Sequence, residues 1–122
     1  MSKHIMIVDD SKTIRNLLAF VVKSEGFKVT TAEDGLDGLE KLYNIGQVDL
    51  IISDVNMPRM DGFTFIKTLR EQDAYKDVPI IVLSTEGKEQ DISTGMSLGA
   101  NLYMVKPAEP AKMIRNIKML LG

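Results

Sequence analysis

The sequence predicts an α/β three-layer sandwich, a parallel five-stranded sheet with helices on both faces. Four short runs are apolar throughout: Ile5-Met6-Ile7-Val8, Leu50-Ile51-Ile52, Ile80-Ile81-Val82-Leu83 and Leu102-Tyr103-Met104-Val105. Their length and β-branching favour strands, and their lack of alternation marks strands buried on both faces. Longer stretches with apolar residues at helical spacing separate them. This strand-then-helix rhythm implies right-handed crossovers onto one sheet.

After the first run, Ile14, Leu17, Leu18, Val21 and Val22 trace one helical face that stops at Gly26, a glycine terminator. Phe27 to Ala32 mixes polar and apolar residues and reads as an edge strand. A helix over about 34 to 45 leads to the second buried run, and another over 61 to 72 starts at Asp61, a natural cap. Lys67, Arg70, Glu71, Asp73, Lys76 and Asp77 read as a solvated helix end and loop. The stretch "GKEQDISTGMSLG", with a helix over 88 to 98, holds Ser93, Thr94 and Gly95 and has glycine at both ends, so its helix propensity is poor. A last helix, 109 to 121, carries Met113, Ile114, Ile117, Leu120 and Leu121 on one side.

Composition narrows the function. The 122 residues fit a single domain, with 44% apolar and 26% charged residues. A net charge of −2 supplies no basic field for nucleic acid, and the absence of cysteine removes thiolate chemistry and disulfides. The first apolar run stops at Asp9, too soon for a signal peptide or a membrane span, so a cytoplasmic protein without a membrane partner is expected. His4 reads as a polar residue before the first strand, and Met57 and Met60 as seals of a loop over the core.

The chemistry gathers at the strand ends. Asp9-Asp10 follow the first buried run, Ser53-Asp54 the second, Ser84 the third and Lys106 the fourth. In a parallel sheet all carboxyl ends share one edge, so these residues would converge in one crevice. Two carboxylates about 4 Å apart at an effective dielectric near 20 repel by on the order of 4 kcal/mol. Three such groups need a cation, and oxygen ligands suit Mg²⁺, which is commonly held by one or two carboxylates plus a phosphate. Lys106 can meet an anionic ligand as a point charge, and Ser84 can add a hydrogen bond. Asp54 is then either a metal ligand only or a nucleophile toward phosphorus. Pro58 fixes the following turn, which holds the Asn56 backbone near the metal.

With "IVDD" at 7 to 10, "SDVNMPRMDG" at 53 to 62, "LSTEG" at 83 to 87 and "YMVKP" at 103 to 107, the whole chain resembles a response-regulator receiver domain of the CheY-like, single-domain chemotaxis kind. Thirty positions separate Asp54 from Ser84 and twenty-two separate Ser84 from Lys106, which agrees. The resemblance implies a flavodoxin-like (βα)5 fold with strand order 2-1-3-4-5. It implies that Asp54 accepts a phosphoryl group from a CheA-like histidine kinase, docking beside the first helix, Ser11 to Glu25. Mg²⁺, with Mn²⁺ as an alternative, would be held by Asp9, Asp10, Asp54 and the Asn56 main-chain carbonyl. Lys106 would pair with the phosphoryl group, and its bond to Pro107 would be cis. Ser84, in place of the commoner threonine, would be the switch hydroxyl and Tyr103 the aromatic that turns inward with it. Asn56 and Glu86 would flank the path of the attacking water and give a short-lived phosphoryl group. Output would pass through an adjustable fourth helix, the Tyr103 strand and the last helix, with Ile92 and Tyr103 as contacts. The target would be a flagellar motor switch protein, with a phosphatase as a further partner and the receiver a monomer spanning 1–122.

Three rivals share parts of this pattern. An aspartyl-phosphate phosphohydrolase would need an acid-base aspartate at position 56 and a cap domain, but Asn56 stands there. A flavin carrier would need a hydroxyl-rich phosphate loop where Asp9-Asp10 lie. A phosphorelay intermediate, or the receiver fragment of a larger regulator, shares every residue of the motif set.

Overall fold

Four apolar runs that stop at polar groups, a mixed edge strand and five helices, most of them ending at or beside a glycine, give ten elements in strict alternation. The computed structural model describes residues 2–122. The elements are β1 His4–Val8, α1 Lys12–Ser24, β2 Lys28–Ala32, α2 Gly35–Ile45, β3 Leu50–Ser53, α3 Gly62–Arg70, β4 Ile80–Ser84, α4 Glu89–Leu98, β5 Leu102–Val105 and α5 Pro110–Leu121. All strand pairs are parallel and the order is β2-β1-β3-β4-β5.

The continuous apolar runs are explained by helices on both sheet faces, because successive strand side chains point to opposite faces. Ile5, Ile7, Leu50, Ile52, Ile81 and Leu83 pack against Leu18 and Val22 of α1 and Met113 and Ile117 of α5. Met6, Val8, Ile51, Ile80 and Val82 pack on the other side against Leu39 and Leu42 of α2 and Phe65, Ile66 and Leu69 of α3. Side chains cap the first three helices: Ser11 accepts from the Ile14 amide, Asp34 from Asp37 and Asp61 from Thr64. Met57 and Met60 pack against the second of these cores, as the loop reading expected. No helix among the described residues is long and apolar enough to cross a membrane.

Three expectations are corrected. The run 102–105 is not buried on both faces: β5 is an edge strand that pairs only with β4, and Val105 is 46% exposed. Arg70 is not a solvated helix end. Its guanidinium donates to the Gly99 carbonyl at 3.0 and 2.7 Å, the Tyr75 carbonyl at 2.9 Å and Asn101 Oδ1 at 3.1 Å. It thereby ties α3 to the turn before β5, with burial lowering its pKa against the opposing pull of Asp77. His4 lies within β1 instead of before it, its ring bonded to the Thr30 hydroxyl at 2.7 Å.

Candidate functional site

Register places the site. Val8 pairs with Ser53, Ser53 with Val82 and Ser84 with Val105, so the residues that follow β1, β3 and β5 emerge side by side at one sheet edge. There Asp9, Asp10 and Asp54 each offer a carboxylate oxygen, all within 4.8 Å of one another. Asp9 and Asp54 are buried and Asp10 is exposed. The Lys106 ammonium donates to Asp9 Oδ2 at 2.8 Å and to Asp54 Oδ2 at 3.0 Å. The Lys106–Pro107 peptide is cis, as the resemblance implied.

One ammonium is thus shared by two of the three carboxylates. Burial pushes the Asp54 carboxyl above its ordinary value of 3.8; Lys106 and the Val55 amide oppose this and nearby Asp9 adds to it. Burial works against the Lys106 charge, but its bonds to Asp9 and Asp54 outweigh that and hold its pKa above the ordinary value. Three hard oxygen donors around one point, short of positive charge, could hold a divalent cation such as Mg²⁺.

Local backbone explains why Asp54 can stand there. Its Oδ1 accepts the Val55 amide at 2.7 Å, which fixes the carboxylate against its own chain. The following loop closes on itself through the Gly62 amide and the Val55 carbonyl at 2.8 Å. A Cβ on Gly62 would lie 2.0 Å from the Asp54 carbonyl oxygen, so only glycine permits that closure.

Four of the remaining predicted residues, Asn56, Ser84, Glu86 and Tyr103, are joined by hydrogen bonds that meet at Glu86. Ser84 is fully buried and its hydroxyl accepts the Glu86 amide at 3.1 Å, with no direct bond to Asp54 or Lys106 among the described residues. The Tyr103 hydroxyl donates to the Glu86 carbonyl at 2.5 Å, and its ring packs by Gly95 and Phe63. Burial, opposed by Ser84, raises the Tyr103 pKa and keeps the phenol protonated. Asn56 Nδ2 donates to Glu86 Oε1 at 3.0 Å, joining the two residues expected to flank the water path. Ile92 is half-buried on α4.

Other supports escaped the sequence reading. The Ser11 amide donates to Asp9 Oδ1 at 2.9 Å and Arg15 Nη1 to the Asp9 carbonyl at 2.8 Å, so the start of α1 holds Asp9. Arg59 forms a two-pronged bond to Asp34 across 25 positions of sequence. Arg15 falls one turn after Ser11, a spacing that could have found it. The Arg59 pair has no periodic signature.

An acidic pocket served by one lysine, at the carboxyl edge of a sheet ordered 2-1-3-4-5, defines a receiver-type signalling domain. The model of the response regulator receiver domain family matches residues 5–118, and the chain belongs to that family. Chemotaxis protein CheY1 of Helicobacter pylori is 34% identical over 119 residues, covering 97% of this chain and 96% of that protein. The structure of Vibrio cholerae CheY4 superposes with a TM-score of 0.92 at 37% identity, covering 98% of this chain and 99% of the other. The CheX-CheY-BeF3-Mg complex of Borrelia burgdorferi gives 0.91 at 33%, covering 98% of this chain and 90% of the other.

Proposed function

We propose that this receiver accepts a phosphoryl group on Asp54 from a histidine kinase and passes the state to a protein target, in chemotaxis. The observation that carries the reading is the Lys106 ammonium shared between Asp9 and Asp54 beside Asp10. Such a pocket is unbalanced without a second cation and ready for an anion once it has one.

Asp9, Asp10, Asp54 and the Asn56 carbonyl would hold Mg²⁺. When bound, Mg²⁺ supplies charge neutralisation for the transferring phosphoryl group. The ionised Asp54 carboxylate forms a new O–P bond while the P–N bond of the donor phosphohistidine breaks, its electron pair returning to the imidazole. Lys106 exchanges part of its contact with Asp54 for a phosphoryl oxygen, and Ser84 turns from the Glu86 amide to donate to another. Freed from that arrangement, the Glu86 segment and Tyr103 shift together, because the Tyr103 hydroxyl is bonded to the Glu86 carbonyl. The face of α4, β5 and α5, with Ile92 and Tyr103, carries the change to a target such as a flagellar motor switch protein. Hydrolysis passes between Asn56 and Glu86 and resets the switch.

The residues favour a cytoplasmic location and a self-modifying switch over an enzyme acting on other substrates. The complex of the Borrelia relative with CheX supports a further regulatory protein partner for this chain.

Intact-mass measurement after incubation with acetyl phosphate and Mg²⁺ tests the assignment. The wild-type chain should gain one phosphoryl group and Asp54→Asn none; equal gain in both would refute it.

A further inference from the structure

The loop that follows Asp54 is held at both ends by its own backbone, but its middle is held by another part of the molecule. Arg59 sits there with φ of 62°, a left-handed conformation that a long side chain seldom adopts. Its guanidinium donates from Nε to Asp34 Oδ2 at 2.8 Å and from Nη2 to Asp34 Oδ1 at 3.1 Å. Asp34 is 1% exposed and also caps α2 through the Asp37 amide at 2.9 Å. Beside this fork the Gly35 amide donates to the Met60 carbonyl at 3.0 Å. The fit is close: a Cβ on Gly35 would lie 2.6 Å from Met60 Cγ.

These bonds run from the start of α2 into the segment that carries Asn56. Among the described residues, the other bond from 56–60 to a distant segment is Asn56 to Glu86, which belongs to the pocket itself. A planar fork on a fixed carboxylate sets direction as well as distance. It also compensates the disfavoured backbone at Arg59, for which no other partner is present among the described residues.

We propose that Arg59 and Asp34 form a positioning latch for the loop, setting how firmly the acidic pocket binds a divalent cation without touching it. The proposal rests on the assignment of Asn56 to that pocket. Supports one step removed from a metal commonly alter its affinity by about 10- to 100-fold, by fixing the groups that do touch it.

The test is Mg²⁺ titration calorimetry on the unphosphorylated protein. Arg59→Gly relieves the backbone and removes the fork; Asp34→Asn keeps an N-cap oxygen and removes the charge. Mg²⁺ affinity should fall about tenfold in Arg59→Gly. The double variant should be no weaker than Arg59→Gly, since both changes remove one pair. Arg59→Lys should fall between, keeping charge without the fork. The rate of phosphorylation from acetyl phosphate should return to the wild-type value at saturating Mg²⁺, a split that loss of folded protein would not produce. Wild-type affinity in Arg59→Gly overturns the latch, as does a double variant whose loss is the sum of the single ones. Phosphorylation at Asp54 with unchanged affinity in Arg59→Gly would remove the latch alone. Weakened affinity in Arg59→Gly, with no phosphoryl gain on Asp54 in the wild type, would remove the phosphoryl-acceptor assignment alone.

Discussion

Two buried aspartates with basic partners hold one loop, Asp54 at its start and Asp34 against its middle, and they are built for different purposes. Asp34 owns its cation: both oxygens meet the Arg59 fork, one also caps α2, and these bonds outweigh burial to hold its carboxyl below the ordinary value. Asp54 shares its cation with Asp9, has a third carboxylate nearby, and is pushed upward by burial. A buried carboxylate with a whole counter-charge is structure; one with part of a counter-charge is poised for a ligand. Proteins commonly give up stability at the sites that do chemistry.

The largest expected effect comes from Gly62→Ala. The added carbon would meet the Asp54 carbonyl at 2.0 Å, forcing the loop open, and overpacking against backbone of this kind costs about 3 kcal/mol. Urea unfolding measures that loss. Hydrogen exchange at the Asp37 amide, which Asp34 caps, should stay protected in the same variant, because only the Asp54 end is struck. Loss of protection at Asp37 in the folded variant would mean that the two aspartates are not independently held.

Lys106→Met is next. Removing one partner of a buried pair typically costs about 3–5 kcal/mol, and partial solvation at the pocket edge reduces this to about 2 kcal/mol. The loss should shrink when Mg²⁺ is added, since the three carboxylates then regain a cation. Thermal unfolding with and without Mg²⁺ reads both. A loss indifferent to Mg²⁺ would contradict the shared-cation account.

Much of this contrast was legible in the sequence on one side only. Asp9, Asp54, Ser84 and Lys106 could be found because an apolar run ending on a polar group marks a strand end, and parallel order then makes those ends converge. Asp61 could be found as a cap because helix starts carry a local signature. Asp34 and Arg59 could not be paired, since nothing in either segment encodes a contact across 25 positions, and Arg59 lies inside a motif whose meaning Asp54 and Asn56 already absorbed. Arg70 failed for the same reason: its partners are the backbone carbonyls of Gly99 and Tyr75 and a side-chain oxygen of Asn101, 31 positions away, which no local pattern links to it. The β5 error has another origin. Composition reports apolar character, whereas double burial depends on a strand's place in the sheet, and β5 ended at the edge with Val105 exposed.

The smallest effect is also the sharpest, because the two aspartates should respond to acid with opposite sign. Asp34 has a folded-state value below 3.8, so its contribution is fully present above that value and is lost as the pH falls through the folded value. Asp54 has a folded-state value above 3.8, so the native state regains stability as the pH falls from neutral through that raised value and Asp54 protonates. Asparagine at either position removes the titration while keeping the shape. The stability advantage of wild type over Asp34→Asn should therefore narrow on acidification. The balance between wild type and Asp54→Asn should move toward wild type over the range just above 3.8. Urea unfolding of the three proteins, without divalent ions, at neutral pH, just above 3.8 for Asp54 and again below 3.8 for Asp34, supplies the comparison. Parallel movement of both differences would show that the shared lysine leaves Asp54 as satisfied as Asp34, and the pocket would then lose its claim to be an unbalanced site awaiting a cation.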